Sequence, residues 1–157
     1  MTIFRTLDGK SAAAYLTATT GAAGAWSATF APAFNATYFA TYAGSNSILS
    51  ATSGAVRTTV APKITITSPL NKSTSSSAKA LKVTGRVGPN KAGRVVVLYY
   101  VTKTGRLVRL TATKVSSKSA YVLTTALKRG TWRLVVVIGA SPGNTSARSA
   151  VVTVKRT

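Results

Sequence analysis

The sequence predicts an all-β protein: an antiparallel β-sandwich carried as two tandem repeats, the first of them N-terminally truncated. Three observations lead there. Short runs of alternating apolar and polar residues, separated by Gly, Pro, Asn and Ser, fill the chain from end to end. Residues 94–101, Arg-Val-Val-Val-Leu-Tyr-Tyr-Val, suit a strand buried on both sides better than a short helix. Segments of the first part of the chain also recur roughly 95 residues later.

In chain order, residues 14–19, 25–30, 37–42 and 55–60 are of strand length. Their apolar members fall on every second position, as in Trp26, Ala28, Phe30 and in Tyr38, Ala40, Tyr42, the period of a sheet with one buried face. Asp8-Gly9 is a strong hairpin signal, residues 21–24 a looser turn, and residues 43–47 a loop. Ala61-Pro62-Lys63 reads as a joint, because proline lacks the ladder donor. The expected domains are therefore 1–62, a partial repeat, and 63–157, a complete one.

The second domain reads as seven strands: residues 63–67, 80–87, 94–101, 107–114, 120–125, 131–138 and 150–155. A Ser/Thr-rich loop follows Pro69-Leu70-Asn71, a longer turn spans residues 88–93, and residues 103–106 form a tight hairpin. Alternation puts Ile64, Ile66, Leu81, Val83, Val108, Leu110, Tyr121, Leu123, Trp132, Leu134, Val136, Ile138, Val152 and Val154 inside. The outward phase holds Lys82, Arg86, Arg109, Arg133 and Lys155, which are the candidate contacts for an anionic polymer.

The repeat is anchored on Leu16-Thr17-Ala18-Thr19 against Leu110-Thr111-Ala112-Thr113. Around it Gly9-Lys10 matches Gly105-Arg106, Trp26 matches Tyr121, Thr37-Tyr38 matches Thr131-Trp132, Gly44 matches Gly139 and Ser53 matches Ser149. On this alignment the first copy lacks the counterparts of residues 63–96, so an apolar face bearing Trp26, Phe30, Tyr38 and Tyr42 is expected to be left open. The expectation is a fragment of a longer chain, its signal peptide on the missing N-terminal part; the alternative is a strand added from another chain.

These motifs resemble a known family, the tandem bacterial immunoglobulin-like repeats of secreted and cell-surface proteins, particularly of actinobacteria. The likeness rests on Pro-Lys-Ile-Thr-Ile (62–66), Val-Thr-Gly-Arg-Val (83–87), Pro-Asn-Lys-Ala-Gly-Arg-Val (89–95), Gly-Thr-Trp-Arg-Leu (130–134) and Ser-Ala-Val-Val-Thr-Val (149–154). A period near 95 with seven strands also has the size of an immunoglobulin-like sandwich, here without a cysteine pair. The resemblance implies a non-catalytic stalk, spacer or adhesion module at the cell surface, flanked by further repeats. It transfers no catalytic or binding residue. Repeats of this type often carry surface Asp and Glu, whereas the second copy here has neither.

Composition excludes most chemistry. The chain has no His and no Cys, and its one acidic residue is Asp8, so carboxylate pairs, Ser-His-Asp arrangements and the usual transition-metal sites cannot be assembled. No cofactor or metal site and no enzymatic activity are expected. Ser76-Ser77-Ala78-Lys79 and Lys103-Thr104-Gly105 match short motifs of penicillin-recognising enzymes, but they fall in a loop and a hairpin of a small domain. Asn35, Asn71 and Asn144 head Asn-x-Ser/Thr triplets. No run is long and apolar enough for a transmembrane helix.

Charge is what remains. The chain carries 21 Lys and Arg for a net charge of +20, and 18 of those basic residues lie in 63–157 with no acidic residue among them. Such a surface keeps a spacer soluble and attracts anionic partners, of which a cell-wall polymer or acidic polysaccharide is the first reading. The alternative is a non-specific nucleic-acid-binding basic β-domain. It ranks lower because Trp132 and Tyr121 fall on the inward phase, leaving no stacking platform.

Overall fold

The computed structural model describes residues 1–68, 73–74, 80–89 and 91–157, residues 73–74 by their backbone alone. The chain divides into two compact units, Met1–Val60 with Ser141–Thr145, and Ala61–Ala140 with Ser146–Thr157. All regular structure among the described residues is β.

The first unit is one antiparallel sheet. Strand β1 (Thr2–Leu7) lies between β2 (Ala13–Thr17) and β3 (Ala36–Tyr42), and two short strands, β4 (Ala51–Thr52) and β5 (Val56–Thr58), pair with the far edge of β3. The Asp8-Gly9 signal is realised as a turn closed by the Lys10 amide on the Leu7 carbonyl at 3.0 Å, with Gly9 at φ 73°. On the inner face Ile3, Ala36, Tyr38 and Ala40 are buried, with Tyr15, Leu16, Ala28 and Phe30 packed against them. The rings of Phe30 and Tyr38 lie 4.8 Å apart, those of Tyr15 and Phe30 5.3 Å, and the Arg5 guanidinium sits 4.4 Å above Tyr15.

The second unit is a two-layer sandwich. Strands β6 (Lys63–Ser68), β8 (Leu81–Gly88) and β11 (Ala120–Thr125) form a three-stranded sheet in the order β11-β8-β6. Strands β9 (Val95–Val101), β10 (Leu107–Lys114), β12 (Gly130–Ile138) and β14 (Val152–Arg156) form the other, in the order β10-β9-β12-β14. The two-residue β7 (Ser73–Thr74) runs parallel to β14, and β13 (Ala147–Arg148) pairs with β12. Both sheets feed one core, from Ile64, Val83 and Leu123 on one side to Leu98, Leu134, Val136 and Val154 on the other. In an immunoglobulin constant domain the fourth strand joins the first sheet; here its counterpart β10 pairs with β9 in the larger one.

Two inside-outside expectations change. Val108 is 42% exposed, because it sits on the edge strand β10 and four strands facing three leave one edge uncovered. Strand β9 is central in its sheet, yet its outer face is only partly covered: Val97 and Tyr99 are half-buried and Val95 is exposed. On that same face Val135, opposite Tyr99, is 1% exposed although it lies outside the core cluster. Most of the Ser/Thr loop expected after Pro69 lies outside the described residues.

The two units repeat one another in register as well as in sequence. Ser53 Oγ accepts from the Ala40 amide at 2.9 Å and donates to the Gly54 carbonyl at 2.9 Å; Ser149 Oγ accepts from the Val136 amide at 3.0 Å and donates to the Ala150 carbonyl at 2.8 Å. Ile3 stands opposite Ala40 as Leu98 stands opposite Val136. Both copies carry a bulge beside the central strand, at Tyr15 and at Leu110. The first unit is thus the counterpart of the β10-β9-β12-β14 sheet. Two sequence matches are corrected: Tyr38 corresponds to Leu134 rather than Trp132, and Leu16 to Thr111 rather than Leu110. The Leu16 match is one residue off, which the two faces of a strand forbid; the Tyr38 match is two off, which keeps the face and is fixed only by the pairing register.

Residues 25–30 are not a strand. Their counterpart β11 is held along its length by β8. Among the described residues of the first unit no strand lies beside 25–30, and extended backbone without a partner forms no ladder.

Candidate anion-binding surface

A strand alternates its side chains, so two packed sheets send their outward residues to opposite faces of the sandwich. The five candidate contacts divide accordingly. Lys82 and Arg86 lie on the outer face of the three-stranded sheet, both from β8; Arg109, Arg133 and Lys155 lie on the outer face of the larger sheet, from β10, β12 and β14. All five are exposed. The structure therefore brings together two of them on one face and three on the other.

The smaller sheet makes the more regular surface. Lys82 and Arg86 are four residues apart on one strand, roughly 13 Å. Exposed Lys63, missed in the sequence reading because it begins its strand, pairs with Gly88 and adds a third cation to the same face. Threonines stand between the charges: Thr65 opposite Arg86, Thr84 at the centre of β8, and Thr124 opposite Lys82. Thr67 and Thr84 share a hydrogen bond at 3.2 Å. Along β8 charge and hydroxyl thus alternate, with exposed Val122 beside Thr84, an arrangement that meets phosphate or carboxylate oxygens and sugar hydroxyls without an enclosed pocket.

On the larger sheet the cations are spread. Arg133 faces Thr153 and Lys155 faces Thr131, diagonal neighbours across β12 and β14, whereas Arg109 is two strands away, opposite Tyr99. A further pair of cations is structural. Arg94 donates to the Gly139 and Ala140 carbonyls at 2.8 and 3.3 Å, and Lys91 is buried beside it. Burial, and next the Arg94 charge, hold the Lys91 ammonium below the ordinary lysine range.

Of the two short motifs shared with penicillin-recognising enzymes, one lies among the described residues. Lys103-Thr104-Gly105 is a hairpin corner, with the Gly105 amide on the Thr102 carbonyl at 3.0 Å and Gly105 at φ 82°; Ser76-Ser77-Ala78-Lys79 lies outside the described residues. No group of three or more metal-ligating side chains occurs among the described residues. No described helix is long and apolar enough to cross a membrane.

Two of the three Asn-x-Ser/Thr asparagines are structural. Within the first unit, buried Asn35 accepts the Val60 amide on Oδ1 at 2.7 Å. Buried Asn144 donates from Nδ2 to the Val60 and Ala33 carbonyls at 3.1 and 3.3 Å. Asn71 lies outside the described residues.

No family model matches the chain, and no curated protein matches it. A solved structure described as the tetra-tandem repeat in the extending region of a large adhesion protein is similar over 96% of this chain, at 19% identity and a TM-score of 0.46; the chain spans 41% of that chain's length.

Proposed function

We propose that the chain is a non-catalytic stalk and adhesion module from the secreted or surface-displayed part of a bacterial protein of the immunoglobulin-like repeat type, and that its second unit contacts anionic cell-wall polymers. One observation carries the polymer reading: Lys63, Lys82 and Arg86 share a threonine-bearing face, in a region with no acidic residue. A sheet face of this kind binds by many weak, salt-sensitive contacts, as suits a module repeated along a stalk.

The test is binding of the full chain to polyglycerol phosphate and to duplex DNA at low and high salt. The expected result is polymer binding that weakens as salt rises and falls further for Lys82→Ser/Arg86→Ser than for Arg109→Ser/Arg133→Ser. Absence of binding to polyglycerol phosphate would sink the polymer reading. Tighter binding to DNA that persists at high salt would replace it with the nucleic-acid reading.

A further inference from the structure

We infer that the outer face of the larger sheet of the second unit binds a uronic-acid polysaccharide, with a sugar ring lying on Tyr99 between Arg109 and Arg133. The second unit is a closed sandwich, so its own fold turns this face outward. The outward face of an antiparallel sheet ordinarily carries polar residues, and the middle of this one does not. Val97 and Tyr99 of β9 stand opposite Val137 and Val135 of β12; Val97, Tyr99 and Val137 are half-buried, and Val95 beside them is exposed.

Cations bound this apolar strip on both sides. On β10, Arg109 stands opposite Tyr99 and Lys114 opposite Val95. On the other side Arg148 of β13 stands opposite Val137, and Arg133, two residues from Val135 on β12, is diagonal to Tyr99. All four are exposed, and residues 63–157 hold no acidic side chain to pair with them.

The strip and its rim together set the chemistry of the occupant. It is anionic, which excludes a second copy of this chain, itself at a net charge of +20. It also covers apolar surface, which a ring-free polyphosphate does not do. A nucleic-acid strand stacks successive bases on successive aromatics, whereas Tyr99 is the only aromatic among the described outward residues of the larger sheet. A sugar ring meets both demands: its C–H face covers Tyr99 and the valines, and its hydroxyls reach the Tyr99 hydroxyl. Arg109 is one strand spacing from Tyr99, about 5 Å, so the charge belongs on the stacked ring itself, as in a uronic acid. The guanidinium takes such a carboxylate with two parallel bonds. Arg133 lies on β12, two spacings or about 10 Å from β10, and takes the carboxylate of a neighbouring ring. Lys82 and Arg86 lie on the other sheet, so the two surfaces can be lost separately.

The experiment titrates polygalacturonate, its neutral methyl ester, polyglycerol phosphate and duplex DNA into the full chain by calorimetry. Polygalacturonate should bind the parent chain, and the methyl ester at least about tenfold more weakly. Tyr99→Leu, which keeps apolar bulk and removes the ring, and Arg109→Gln, on an exposed edge position, should each weaken polygalacturonate binding by about tenfold and leave polyglycerol phosphate binding nearly unchanged. Lys82→Ser/Arg86→Ser should do the reverse. Thermal melting checks that each variant is folded, and Arg109→Gln carries the test alone if Tyr99→Leu is not. Absence of polygalacturonate binding would overturn the inference, as would equal binding of acid and ester, or equal losses from the variants of the two faces. Tighter binding of DNA that is lost in Tyr99→Leu would make nucleic acid the occupant and overturn it too.

Discussion

The Tyr121 hydroxyl donates to the Thr65 carbonyl at 2.9 Å, passing over Gly85, and so ties the two outer strands of the three-stranded sheet across its middle strand. A Cβ at Gly85 would overlap both the Thr65 carbonyl and the Tyr121 hydroxyl. Glycine is required there by space, since Gly85 has no positive φ. Gly85→Ala should destabilise the second unit by at least about 3 kcal/mol, because one of the clashing atoms is backbone. A chemical-denaturation midpoint close to that of the parent chain would refute this.

The same phenol predicts an alkaline limb. Burial raises the Tyr121 pKa well above its ordinary value, so the folded chain keeps a proton that an unfolded tyrosine releases near pH 10. Its contribution is complete below about pH 10 and declines as the pH rises further. Melting of the parent chain and of Tyr121→Phe between pH 8 and 11.5 should show a gap of about 1–2 kcal/mol at pH 8 that narrows above pH 10. A gap that stays constant would assign the alkaline loss to other groups.

The paired serines give an internal comparison. Ser149 is buried and Ser53 exposed, yet each holds the backbone of its hairpin by the same two bonds. Ser149→Ala strands a buried amide and should cost about 1–3 kcal/mol; Ser53→Ala removes an exposed hydroxyl whose place at the Ala40 amide water can take, and should cost under about 1 kcal/mol. Equal losses would mean that the bonds, rather than their burial, set the effect.

Asn144 turns its amide onto two carbonyls of its own unit, so Asn144→Ala should destabilise that unit by about 1–3 kcal/mol. Secretion from a eukaryotic host should leave Asn35 and Asn144 without glycan by peptide mass spectrometry. A glycan on either would show that its buried amide is released in solution.

Period and turn chemistry made most of the sandwich legible in the sequence. Alternation placed Ile64, Leu81, Val83, Leu134 and Val154 correctly inside, and Asp8-Gly9 and residues 103–106 marked real turns. What failed depended on neighbours that a strand cannot name for itself. Residues 25–30 alternate as a strand should, but ladder formation belongs to a pair. Val108 has the right phase for burial and lacks a sheet above it. The candidate cations were legible as outward, yet their division between two faces follows from strand order, which also brought Lys63 into the set.

Trp132 separates core from surface at one strand end. It packs against the core and meets Tyr100 edge-on with ring centroids 4.9 Å apart, while its Nε1 donates to the Lys128 carbonyl at 3.0 Å. Its counterpart is Ala36 and not an aromatic, so the indole is particular to the second unit, where it fills the space beside Tyr100. Truncation removes that packing and leaves the exposed Lys128 carbonyl to water; because the ring is half-buried, Trp132→Ala should cost about 2–4 kcal/mol, at or below the usual range for a fully buried aromatic. Arg133, one residue on, points to the opposite face, and Arg133→Ala should change stability by less than about 0.5 kcal/mol. Denaturation of both variants, with polyglycerol phosphate binding at low salt, tests the assignment. If Trp132→Ala stays as stable as the parent and loses polymer binding, the indole belongs to the binding surface rather than to the core.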